Sequence, residues 1–200
     1  HELNAYFLTG SFQEGTELVA QKAQELNQFV DQLGKHATIT FYYKIACMYF
    51  GASDYRQAGL WLQKIINEQQ VDLREDIHCF ARILNLISHY EQGNTDIIEY
   101  LIKSTYRFLL LRDDLQQYQA YILGFLRNLA YGTTEAELIG RFDKLRKQLL
   151  TLIDNPYESR AFIYFDIISW LESKISKRSV EEVIQEKALK RMKQKGALVG

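Results

Sequence analysis

FYYKIACMYFGASDYRQAGLWLQKI, residues 41–65, decides the fold. Its apolar residues recur at steps of three and four on both sides of a short break at Gly51-Ala52-Ser53-Asp54. That is the pattern of two amphipathic helices joined by a tight turn. Asp54 and Gln57 resemble a capping box, able to satisfy free amides in the first turn of the second helix. Small Ala46 and Ala58, one in each helix, let the two axes approach closely, while Tyr42, Tyr49 and Leu62 fill the space around the crossing.

Outward from this hairpin the same periodicity continues. Upstream, ATITFYY (37–43) alternates like a strand, but the spacing that follows it predicts a helix over about 38–51, with Ile39 and Ile45 on its apolar side. A helix over about 15–33 carries the stripe Val19, Ala23, Leu26, Val30 and Leu33. Downstream, a helix over about 75–92 is apolar around much of its circumference, including Ile77, Phe80, Ile83, Leu84, Leu86 and Ile87. Such a helix has to pack on more than one side. Helices follow over about 95–111 and 114–130. The next has the seam Leu138, Phe142, Leu145, Leu149 and Leu152, with Thr134 and Glu137 at its start. Asn155, Pro156 and Glu158 open another, running to about Ile175. Ser179 and Glu182 open a charged tail helix to about 195. Eight main helices and a tail are therefore expected, all α, with short connections that make neighbours antiparallel. The expected organisation is one domain, 1–178, and a charged tail, 179–200.

Composition agrees. A single proline in 200 residues, where average usage gives about ten, suits long uninterrupted helices. Hydrophobic residues make up 47% and charged residues 24%, with a net charge of −1. No global basic field attracts nucleic acid or an anionic membrane. No stretch approaches the roughly 20 apolar residues of a membrane-spanning helix. Cys47 and Cys79 lie inside apolar helical patterns with no CxxC pairing, which predicts buried reduced thiols and a cytoplasmic setting. The chain begins at His1 and reads as a piece of a longer protein.

Tyr49, Tyr90 and Tyr131 recur at a period of 41 residues, each just before a glycine-bearing turn that leads into another amphipathic helix. A helical hairpin with its turns needs a period of this order. The first unit resembles the tetratricopeptide repeat. Tyr42 stands where that family has its opening aromatic, followed by Ile45 and Ala46 for the Leu-Gly pair. Tyr49 and Tyr55 match its later tyrosines, Ala58 its small residue and Leu62 its later aromatic. The match is best over 39–67, fair over about 77–109 and poor beyond. The closing proline is replaced by Gln70 and Val71, and Ile87 replaces the small residue in the second unit. The resemblance implies a right-handed array of antiparallel hairpins, an α-solenoid whose inner helices line a groove for a protein or peptide. Carried over by register, Thr40, Tyr43, Lys44 and Cys47 would face that groove from the first unit, and Asn85, Ser88 and His89 from the second.

Nothing in the sequence gathers catalytic groups. His78 and His89 lie on one helix about 16 Å apart, too far to share one metal, and no HExxH, phosphate loop or GxSxG is present. Asp113-Asp114 and Glu181-Glu182 sit at helix starts, where the helix dipole explains them. The basic run Lys187, Lys190, Arg191, Lys193, Lys195 lacks the aromatics that stack on bases. No metal, cofactor or enzymatic activity is expected, and nucleic acid is not an expected partner. The expected function is a non-catalytic scaffold that binds protein or peptide. The alternative is a ligand-sensing, regulatory domain attached to an output domain, and the oligomeric state is left open.

Overall fold

The computed structural model describes residues 2–68, 74–112, 115–129, 134–155 and 165–197. Among them are eleven helices and no strand: α1 (Glu2–Thr9), α2 (Phe12–Gln21), α3 (Ala23–Gln32), α4 (Lys35–Gly51), α5 (Tyr55–Ile66), α6 (Glu75–Glu91), α7 (Thr95–Leu111), α8 (Gln117–Arg127), α9 (Glu135–Leu150), α10 (Ile167–Ser176) and α11 (Val180–Ala197). ATITFYY is helical, as the longer-range spacing requires.

The caps follow the sequence. Asp54 Oδ1 accepts from the Gln57 amide at 3.0 Å. Thr134 and Glu137 form a reciprocal box, with the Thr134 amide donating to Glu137 Oε2 at 2.9 Å and the Glu137 amide to Thr134 Oγ1 at 3.3 Å. Ser179 and Glu182 repeat it at 2.8 and 3.1 Å. Each box satisfies two amides that a helix start leaves free. Pro156, Tyr131, Asp113-Asp114 and Gln70-Val71 lie outside the described residues.

Two boundaries differ from expectation. The helix over 15–33 is two helices, broken at Lys22 (φ −98°, ψ 19°). Phe12, Gly15 and Val19 of α2 are buried, while Leu26, Val30 and Leu33 are only half-buried. The break divides the stripe, and α3 packs chiefly on α2 at the margin of the fold. Near the other end, α10 begins at Ile167, where Asp166 Oδ1 accepts from the Ser169 amide at 2.9 Å. The helix count also rises because α1 is a separate element.

Successive helices pack in adjacent pairs, α4 on α5, α5 on α6, then α6–α7, α7–α8 and α8–α9, with α4 and α8 also reaching α6. Ala46 and Ala58 have no exposed surface, which is the close approach their size permits. α6 meets neighbours on several sides, as its all-round apolarity demands. Phe142, Leu145, Leu149 and Leu152 are buried, with α9 packed against α10.

The first and last of the described helices also meet. α11 touches α1, with Gln185 Nε2 donating to the Gly10 carbonyl at 3.2 Å. Gly10 has φ +75°, and a Cβ there would stand 2.9 Å from Ile184 Cγ2. Only glycine accepts that backbone at that separation. Val180 and Val183 are buried, so the first turns of the charged tail belong to the core and only its later part is solvated.

Candidate functional site

The inner face expected from the repeat register is formed by α4, α6 and α8, but it is not an open groove. Tyr43, Phe80, Ile83, Ile87 and Ile122 converge on Phe165 and Ile167, leaving a cavity of only about 20 Å³. Phe165 stacks edge-on against Phe50 with ring centres 4.8 Å apart. The segment entering α10 thus seals this face with apolar side chains.

Four of the seven residues expected at the groove, Tyr43, Cys47, Asn85 and Ser88, are buried. Tyr43 packs on Phe80, ring centres 6.5 Å apart. It also hydrogen-bonds Cys47, whose thiol burial pushes well above the ordinary thiol range, leaving it unreactive. Ser88 Oγ donates to the Leu84 carbonyl at 2.9 Å, and Asn85 Oδ1 lies 3.5 Å from Gln63 Nε2. The first bond closes within α6, and the second approach lies between α6 and α5. A two-sided helix has no free face for a peptide, which repeat register alone does not show.

Three of the seven keep solvent access. His89 is half-buried, its Nδ1 3.1 Å from Asn94 Nδ2, and burial lowers its pKa. Thr40 Oγ1 donates to the His36 carbonyl at 2.9 Å and accepts from Arg74 Nη1 at 2.6 Å. Lys44 is exposed, and its Nζ donates to Asn4 Oδ1 at 3.1 Å. Thr40, Tyr43 and Lys44 come together on a different surface, a cavity of about 360 Å³ between α4 and α1. The sequence offered no signal for it, because α1 was not distinguishable as an element.

Two further clusters resemble chemistry. Lys187 Nζ donates to Ser169 Oγ at 2.8 Å, a spacing suited to a Ser-Lys pair. The Ser169 hydroxyl, however, donates to Asp166 Oδ2 at 2.6 Å, and Lys187 is ion-paired with Glu172 at 2.7 Å. A buried serine whose proton goes to a carboxylate, beside a lysine that only donates, is a cap and a tether for α11. The second cluster is His78 with Arg82 and Arg112. Both guanidiniums lie on the Phe108 ring, 3.8 and 4.1 Å from its centre. His78 is fully buried, and among the described residues neither ring nitrogen has a hydrogen-bond partner. Arg112 Nε is 3.1 Å from Glu75 Oε1 without the alignment of a hydrogen bond.

His78 has a stability consequence. Burial first, then Arg82 and Arg112, lower its pKa below the ordinary 6.5, against smaller opposing effects of Glu68 and Asp76. Above pH 6.5 the imidazole is neutral folded or unfolded, so its contribution does not vary with pH. As pH falls through 6.5, the unfolded chain takes up a proton that the folded one resists, and stability is lost. His78→Leu should raise stability by about 1 kcal/mol at pH 7, because it removes a buried polar ring without partners. It should also reduce the fall in urea midpoint between pH 7.5 and 5.5. Equal falls in both proteins would show that His78 is not the titrating group.

No group of three or more His, Cys, Asp and Glu side chains that could hold a metal occurs among the described residues, and no described helix is long and apolar enough to cross a membrane. No family model, curated protein or solved structure matches this chain.

Proposed function

We propose that the chain is a non-catalytic protein-binding module, a tetratricopeptide-like right-handed array of helical hairpins whose partner docks as a helix on α7. The order of helix neighbours, with α4 and α8 both reaching α6, supports the array. The buried reduced thiols suit a cytoplasmic protein.

One observation carries the docking surface. α7 buries Ile102, Thr105 and Leu109 on one side, and on the other exposes Ile97, Tyr100 and Leu111, with Arg107 and the half-buried Ser104 between them. Ile97, Tyr100, Ser104, Arg107 and Leu111 follow steps of three and four, with Tyr100 71% and Leu111 84% exposed. This is the spacing by which one helix packs against another. Large apolar side chains clustered on a surface mark interaction sites. The inner-face reading survives only for a peptide able to displace Phe165 and Ile167.

Incorporating benzoylphenylalanine at Tyr100 or Leu111 should yield a crosslinked polypeptide in cells, lost when Ile97 is also changed to Asp. Mass spectrometry of the adduct distinguishes a foreign partner from a second copy. Adducts no more frequent than from a control position on α9, Gly140, would refute this docking surface.

A ligand-sensing domain is the second reading, favoured by the cavity between α1 and α4. α1 also touches α11, so a ligand bound against α1 has a direct path to α11.

A further inference from the structure

The cavity between α1 and α4 has nearly carbon-only walls, formed by Leu3, Phe7, Leu8, Tyr43, Ile45 and Met48. At about 360 Å³ it is the size of a small-molecule site. Asn4, Thr40 and Lys44 supply its polar groups, and among the described residues no carboxylate lines it. The Thr40 hydroxyl is already occupied by His36 and Arg74. Lys44 is different. Its ammonium meets only the neutral Asn4 amide oxygen and has no ion pair among the described residues.

A second cleft, of about 540 Å³ and lined by Leu18, Lys22, Leu26, Phe29 and Phe41, shares Leu3, Asn4 and Lys44 with the first. Lys44 therefore stands where the two spaces meet, the first of them nearly all apolar. A complementary ligand has an apolar body and one anionic end. Its anion would take the Lys44 ammonium and the Asn4 amide N–H, a charge-assisted contact stronger than the neutral one it replaces. Its body would lie along leucine, phenylalanine and methionine side chains, which adapt to an unbranched chain.

We propose that this cavity binds a medium-chain fatty acid, carboxylate on Lys44 and hydrocarbon between α1 and α4. The proposal names the ligand class for the sensing reading, and binding itself is tested separately from sensing.

The test is calorimetric titration of the 200-residue chain with sodium decanoate below its micelle concentration, alongside decan-1-ol and decyltrimethylammonium. One decanoate should bind per chain, at least tenfold more tightly than either control. Lys44→Glu should weaken decanoate at least tenfold and leave decan-1-ol unchanged. Leu8→Asp should also weaken decanoate; Leu8 is 76% exposed, so the fold tolerates the change, and circular dichroism verifies it. The proposal is overturned by no saturable binding, by equal affinity in Lys44→Glu, or by uptake of many molecules with a falling melting temperature, which is detergent action. One-to-one binding that leaves crosslinking from α7 unchanged would sink the sensing reading and keep the site.

Discussion

Trp170→Ala should cost the fold about 3–5 kcal/mol, a large share of the roughly 5–15 kcal/mol that a domain holds in total. Trp170 has no exposed surface and packs edge-on against Phe142, ring centres 5.7 Å apart at 83°. Its indole N–H donates to Glu91 Oε1 at 2.6 Å. Alanine would leave a cavity, remove the aromatic pair and take a donor from a carboxylate. Trp170→Phe separates these effects, because it keeps a ring and loses only the donor and some volume. It should cost about 1–3 kcal/mol. Urea unfolding followed by circular dichroism reads both. A loss under about 1 kcal/mol for alanine would mean that α10 does not pack on α6 and α9 as described.

Glu91→Ala should cost about 3 kcal/mol. Glu91 ends α6, where the helix dipole disfavours an anion, and its side chain is only 6% exposed. What holds it there is distant in sequence: the Trp170 indole and Lys174 Nζ, the latter at 2.5 Å. Removing the carboxylate strands the indole N–H in the core. Lys174 is 30% exposed and can turn to water, which keeps the loss at the lower end of the range for a broken buried pair. Glu91→Gln retains one acceptor and should cost less. The double variant with Trp170→Phe should lose less than the sum of the two, by about 0.5–3 kcal/mol. Strict additivity would deny that the two residues act through one contact. Hydrogen exchange should show α10 and α11 losing protection before α4 to α6, since this lock joins α6 to α10, on which α11 packs.

The parts of the molecule legible in sequence are those built from neighbours. The hairpin of α4 and α5 rests on Ala46, Ala58 and Asp54, all within a single turn-linked unit. The boxes at Thr134 and Ser179 span three residues each. The seam of α9 needs only its own spacing. Even the many-sided packing of α6 followed from the residues around its circumference, without knowledge of which helices would supply the contacts. The groove did not follow. Thr40, Tyr43, Lys44, Cys47, Asn85, Ser88 and His89 were placed by repeat register, which fixes the direction of a side chain from its helix and assumes that nothing covers it. Phe165 and Ile167, about seventy-five residues beyond α6, cover it.

The amino-acid sequence by itself determined that the described chain is helical, where most helices begin, and which stripes most of them bury. Periodicity and capping act over a few residues and need no partner to be read. Tertiary structure alone decided that the inner face is sealed, that Glu91 is held by Trp170 and Lys174, that Gly10 seats Ile184, and that Lys44 stands over an apolar cavity. Each of these joins residues far apart in the chain. A contact of that kind depends on the path of the backbone between them, and hydrophobic spacing is the same whether the covering surface is solvent, a partner or the chain itself.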